Sequence, residues 1–216
     1  MEETEMLDFP KLFVSSPSML TKIYGENPSQ RELLRLVELL ERNGTIVCPT
    51  DSLYAFGCSV HSAKGLEHLR RLKSKNDFSL IFADLAQVAE FCRVDNAAFR
   101  ILKRNLPGPF TFILSALSRV PEKALGKRKA IGVRIPAHSV ARTIVEALGA
   151  PLVVTSLPLE EAEPEYATHP ELIHERYVRE VGVVVDGGMG AAELSTVVDL
   201  TGDEPEIVRQ GRGELR

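Results

Sequence analysis

Two lysines spaced two apart, one arginine inside an apolar strand, and several short hydroxyl side chains are the residues of this 216-residue chain whose types and spacing fit chemistry. Lys73 and Lys75 fall between a helical pattern and a strand pattern. In an extended segment their ammonium groups project the same way, and two adjacent cations suit a phosphate chain. Arg134 stands among Ile131, Val133 and Ile135. A buried guanidinium needs an anion beside it, because unpaired charge in the interior is very costly. That anion is either a ligand or a carboxylate of the protein itself. Thr50, Asp51 and Ser52 place three short oxygen-bearing side chains at the end of an apolar strand, where α/β sheets collect ligands; a plain turn uses the same residue types. Pro107-Gly108-Pro109 is a stiff turn that presents the Thr111 hydroxyl. Ser195, Thr196 and Arg209 lie near strand ends, where hydroxyls and an arginine suit ribose or phosphate contacts.

The charge is unevenly spread. Residues 64–134 carry 15 Lys/Arg against 6 Asp/Glu, a net of +9, whereas the rest carries 11 against 24, a net of −13. Such asymmetry points to a polyanionic ligand, nucleotide or nucleic acid, unless the cations scatter over separate helix faces. Lys127-Arg128-Lys129 is the basic loop expected to touch RNA. Other chemistry is disfavoured. The five histidines and three cysteines show no zinc spacing, so no metal ligand set is expected. Gly187-Gly188-Met189-Gly190 lacks the Lys-Ser/Thr of a phosphate-binding loop and reads as a strand turn, and no nucleophile elbow surrounds Ser156. The acidic MEETEMLDF start is unlike a secretory signal. No apolar run approaches the roughly 20 residues of a membrane span, and three cysteines without a pairing pattern fit a reducing cytoplasm.

These residues need a scaffold, and alternating strand and helix patterns supply one α/β domain. Residues 1–27 read as an N-terminal extension with a short strand at 11–14, and 28–216 as the domain. Ser29 with Glu32 makes a capping-box pattern for a helix that Gly44 ends, and Thr45 to Cys48 is a buried strand stopped by Pro49. Ser62, Asp84 and Asp95 cap further helices, and Gly149 closes the helix from Ser139. Strands are expected at 79–83, 111–114, 130–135, 152–156, 181–185, 195–200 and 206–209. Gly57 is expected to let another backbone come close.

Pro49-Thr50-Asp51-Ser52-Leu53-Tyr54 resembles the Pro-Thr-[Glu/Asp]-[Thr/Ser]-x-Tyr signature of the YrdC/YciO family, the threonylcarbamoyl-adenylate synthases and their paralogues. Pro107 to Thr111, Val133 to His138, Ser195 to Asp199 and Ile207 to Gly211 are similar to its later segments, in order, over roughly residues 28–211. The resemblance implies a twisted mixed parallel and antiparallel sheet with surrounding helices and a concave basic cleft. It implies nucleotidyl transfer: ATP, L-threonine and bicarbonate to threonylcarbamoyl-adenylate and pyrophosphate, for a tRNA adenosine modification, with magnesium accompanying the ATP. Lys73 and Lys75 would act at the triphosphate and Arg134 at the threonine carboxylate. Thr50, Thr111, Ser156, Ser195 and Thr196 would be hydroxyl ligands, and Arg209 would close the nucleotide side. His138 is read as capping or packing at the following helix. The chain departs from the synthase pattern in two places. Lys75 stands where Lys-x-Arg has arginine, keeping charge but losing the bidentate fork, and Pro158 replaces the asparagine of Ser-x-Asn. Both departures resemble the YciO branch, for which a double-stranded RNA or tRNA binder and a transferase with another carboxylate are the alternative readings.

Overall fold

The computed structural model describes residues 19–23, 27–73, 78–125, 129–160 and 162–216. The lysine at 75, the loop cations Lys127 and Arg128, and the strand expected at 11–14 lie outside them.

Four of the six α-helices among the described residues start where a short oxygen side chain accepts an otherwise orphaned amide. Ser29 accepts from Glu32 N ahead of α1 (Gln30–Glu41), and Ser62 from Gly65 N ahead of α2 (Ala63–Leu72). Asp84 and Asp95 do the same for α3 (Leu85–Phe91) and α4 (Asn96–Asn105). The helix α5 (Ser139–Leu148) ends on Gly149 at φ +67°, the left-handed position glycine fills without strain. Pro170 opens α6 (Pro170–Tyr177), at the first turn, where its missing N–H costs nothing.

Among the described residues ten strands form one mixed sheet. They are β1 (Met19–Lys22), β2 (Ile46–Cys48), β3 (Ala55–Ser59), β4 (Ser79–Ile81), β5 (Phe110–Ser115), β6 (Ala130–Arg134), β7 (Leu152–Ser156), β8 (Val183–Asp186), β9 (Thr196–Asp199) and β10 (Glu206–Arg209). The spatial order is β1-β8-β2-β3-β7-β4-β6-β5-β9-β10. β1 adds four residues of the 1–27 stretch to the sheet, parallel to β8.

The sequence patterns missed β3. Its residues, Ala-Phe-Gly-Cys-Ser, have little strand propensity of their own. It exists because β2 and β7 pair antiparallel with it on either side, with all five residues buried. The Pro49–Tyr54 motif is therefore the turn of a β2–β3 hairpin, although β2 also pairs parallel with β8 on its other edge. Gly57 is not forced by a close approach either: a Cβ there would sit 3.5 Å or more from its neighbours.

The two faces of the sheet are covered unequally. One packs Leu66, Leu69, Val88, Phe91, Leu102 and Ile173 from α2, α3, α4 and α6 into the larger core. Among the described residues the other carries α1 and α5, whose Leu36, Leu40, Ile144 and Val145 cover Ile46, Cys48, Ile81 and Val154. Beyond Ile81 this second face runs on through β6, β5, β9 and β10 without a described helix in that core, which leaves the concavity that holds the site.

Candidate functional site

A cleft of about 700 Å³ opens over this bare part of the sheet. Its floor follows from strand alternation: Ser156 on β7, Ser79 on β4, Gly132 and Arg134 on β6, Thr111 on β5, and Ser195 just before β9. Gly132 is needed here. A Cβ would sit 2.5 Å from Ser79 Oγ and 2.8 Å from Thr111 Cγ2, closing the floor between the two hydroxyls. Lys73, Arg134 and Arg209 are the basic residues among the described lining, which includes no Asp or Glu. Apolar walls come from Phe78, Ile113, Leu157 and Leu159.

Each cation is held. Lys73, just past the end of α2, donates from Nζ to Ser156 O at 3.1 Å and to Ser156 Oγ at 3.3 Å. The two positions that match the synthase tetrad thus meet across the cleft. Arg209 donates to Ser195 O at 2.9 Å and lies 3.4 Å from Ser195 Oγ. Ser195 Oγ and Thr111 Oγ1 share a hydrogen bond of 2.8 Å, so β10, β9 and β5 are stitched together by the side chains that line the cleft.

Arg134 is 5% exposed. Its Nη2 donates to Asp51 Oδ1 at 3.0 Å and to Ser52 Oγ at 2.8 Å, so the carboxylate beside it belongs to the protein, from the hairpin turn. Asp51 Oδ2 accepts from Ala137 N at 2.7 Å, tying the turn to the start of α5. Nε of Arg134 is buried with no hydrogen-bond partner among the described residues. Burial pulls the Arg134 pKa below its ordinary value, opposed by the charge and hydrogen bond of Asp51. Cys48 is fully buried, and burial pushes its thiol up to about 12 although the nearby Arg134 charge favours the thiolate.

Tyr54 fixes the hairpin from the far side. Its buried hydroxyl donates to Gly188 O at 2.6 Å and accepts from Gly187 N at 3.2 Å. Gly188 sits at φ +91°, so the glycine-rich stretch after β8 is a turn clamped by this phenol. His138 is the N-cap residue of α5 without a side-chain capping bond. Its ring packs against Gly187.

The cleft thus gathers Lys73, Thr111, Arg134, Ser156, Ser195 and Arg209. It does not gather Thr50 or Thr196. Thr50 Oγ1 donates to Leu53 O at 2.7 Å and accepts from Ser52 N at 3.1 Å, which shapes the turn. Thr196 is fully buried and donates to Gly213 O at 2.6 Å. Adjacent strand residues face opposite sides, so Ser195 and Thr196 do not both meet the cleft. Lys129 is exposed, at φ +52°, and is not among the lining residues. Ser52 and Ser79 line the cleft; the sequence reading names Ser52 beside Thr50 and Asp51 but gives the ligand role to Thr50, and it does not mention Ser79 as a site residue. The motif around Thr50 could have revealed Ser52, whereas nothing in the local pattern marks Ser79. Among the described residues no three His, Cys, Asp or Glu side chains converge as a metal seat, and no helix is long and apolar enough to cross a membrane.

The family model for Sua5/YciO/YrdC, described as "Telomere recombination", matches residues 38–211. YciO of Escherichia coli K12 is 39% identical over 198 residues, 90% of this chain and 96% of that protein. The crystal structure of E. coli YciO superposes with a TM-score of 0.85, covering 91% of this chain and 97% of that one at 40% identity. A threonylcarbamoyl-AMP synthase of Thiobacillus denitrificans is 33% identical over 167 residues, 74% of this chain and 87% of that protein. Sua5 of P. abyssi complexed with L-threonine shares the fold, with a TM-score of 0.76 at 20% identity over 90% of this chain and 58% of its own. By motif, fold and sequence, the chain belongs to the Sua5/YciO/YrdC family.

Proposed function

We propose that the cleft binds ATP with a small carboxylate and forms an acyl-adenylate and pyrophosphate, with L-threonine and bicarbonate as the first candidates for the other substrates. The observation that carries this reading is the lining: Lys73, Arg134 and Arg209 converge on one cavity with Thr111, Ser156 and Ser195 and no described acidic residue. The threonylcarbamoyl-AMP synthase relatives and the threonine complex of Sua5 support the choice of substrates.

In this reading no side chain becomes covalently attached. Catalysis is positioning plus neutralisation of the phosphate charge. Lys73 lies against the triphosphate, with Ser156 fixing its ammonium group. Arg209 and the Thr111–Ser195 hydroxyl pair hold the nucleotide on the β5–β9 side. Arg134, held by Asp51 and Ser52, offers its unpartnered Nε toward an anion. Magnesium would accompany the triphosphate as part of the substrate and share with Lys73 and Arg209 in neutralising its charge.

Pyrophosphate release from ATP, with and without L-threonine and bicarbonate and across other amino acids, tests the reading. Release that needs both co-substrates supports the synthase reaction; release with a different carboxylate redirects the assignment; no release with any of them overturns nucleotidyl transfer. Binding of double-stranded RNA or tRNA near Lys127, Arg128 and Lys129 is proposed from the charge asymmetry and has a separate check. Changing all three to Ala should weaken RNA binding and lower its salt slope by about 0.7–0.9 for each phosphate the loop no longer neutralises.

A further inference from the structure

The hairpin turn that carries Asp51 is held from outside by the segment that follows β10. Arg212 donates from Nη1 to the main-chain oxygen of Asp51 at 3.1 Å. Among the described residues this is the only hydrogen bond seen to that oxygen. Arg212 is itself located at both ends. Its N–H donates to Leu194 O at 2.9 Å, and its Nε lies 3.9 Å from Glu193. The chain on either side is tied down through Thr196, which accepts from Gly211 N at 3.0 Å and donates to Gly213 O at 2.6 Å. Gly213 lies against the ring of Phe110, where a Cβ would come within 2.6 Å. The segment is therefore a strap fixed to the sheet, with one guanidinium reaching the turn.

We propose that Arg212 is a positioning residue of the cleft: it fixes the Asp51 main chain, and through the Asp51 carboxylate it sets where the Arg134 guanidinium points. Arg212 lies one residue beyond the stretch matched by the family model and does not line the cleft. Any effect of its removal on a bound anion therefore passes through Asp51 or through its own charge at a distance. As a route to ligand affinity, the inference rests on the reading that the cleft binds nucleotide. Its geometric part stands apart from that reading.

The test uses the full chain as wild type, Arg212→Ala and Arg212→Lys. Three measurements are made: hydrogen exchange of the Arg134 Nε–H by NMR in the free protein, affinity for ATP with magnesium by calorimetry at low and high salt, and the thermal midpoint. Arg212→Ala should speed Arg134 Nε–H exchange and weaken ATP binding by about fivefold, the size of one ordinary hydrogen bond. The midpoint should stay within about 2 °C, as for an exposed substitution. Arg212→Lys should restore most of both effects. The affinity loss should persist at high salt, since screening removes only the long-range contribution of charge. Unchanged exchange at Arg134 in Arg212→Ala overturns the inference whatever the protein binds. An affinity loss that vanishes at high salt reduces Arg212 to a surface charge and overturns it too. A wild type that binds no ATP defeats the nucleotide reading, and the exchange measurement then still decides the role of Arg212.

Discussion

Removing the Asp51 carboxylate should be among the most damaging single changes near the cleft. The Arg134 and Asp51 side chains are 6% and 11% exposed, so the pair counts as buried. Breaking such a pair from one side leaves an uncompensated charge, which costs about 3–5 kcal/mol. In Asp51→Ala the guanidinium keeps Ser52 and a weak 3.4 Å contact to Thr50, and the cleft admits counter-ions, which places the loss toward the lower end. Each kcal/mol moves the midpoint of a domain of 150–250 residues by about 2–4 °C, so thermal melting should show a fall of roughly 6–12 °C for about 3 kcal/mol. The double variant Asp51→Ala/Arg134→Leu removes both charges and should be more stable than the sum of the two single losses allows. A midpoint within about 2 °C of wild type for Asp51→Ala, or strict additivity in the cycle, would refute the buried pair as the support of this site.

Four further outcomes follow from named contacts. Burial holds Cys48, Cys58 and Cys92 up at about 12 from an ordinary value of 9.0. The folded state therefore keeps protons that the unfolded state releases, so stability is full below pH 9 and falls as pH rises from 9 toward 12; a flat midpoint between pH 8 and 10.5 would contradict this. Tyr54→Phe removes the hydroxyl that serves Gly187 and Gly188 and should cost about 0.5–1.5 kcal/mol in denaturant melts, the size of a typical hydrogen bond, because these two main-chain groups lie on a partly exposed turn. Gly132→Ala should lower both ATP affinity and stability, the latter by about 1–3 kcal/mol from overpacking between Ser79 and Thr111; a stable variant of unchanged affinity would show the floor to be looser than described. Lys73→Ala should weaken ATP binding with little change in melting, and equal loss of stability and affinity would make Lys73 a structural anchor for β7.

The parts of the fold visible in the sequence are those fixed locally. Ser29, Ser62, Asp84, Asp95 and Gly149 mark helix ends because a cap is satisfied within three or four residues. β3 is hidden because it owes one of its two flanking ladders to β7, where Ala55 pairs with Ser156 far along the chain, and β1 because its partner β8 lies more than 150 residues away. The same distinction governs the site. Lys73, Arg134, Ser195 and Arg209 stand out as cations or hydroxyls at element ends. That Arg134 finds its acid 83 residues earlier, in Asp51, cannot be read from spacing. Thr196 reads as a cleft residue beside Ser195, although alternation alone forbids both from facing it. Thr50 belongs to the signature but shapes the turn, leaving Ser52 as the hydroxyl of that motif at the cleft wall.

The central claim is that the space bounded by Lys73, Arg134 and Arg209 receives the nucleotide phosphates. A crystal structure of the wild-type chain with magnesium and a non-hydrolysable ATP analogue tests it most directly. The phosphate chain should lie in this cleft, with phosphate oxygens within hydrogen-bond reach of Lys73 Nζ and the Thr111–Ser195 hydroxyls, and the Asp51–Arg134 pair retained or shared with the ligand. Nucleotide bound elsewhere, for example in the groove that Leu85, Ala89, Phe99 and Leu102 line between α3 and α4, with this cleft filled only by solvent, would contradict it.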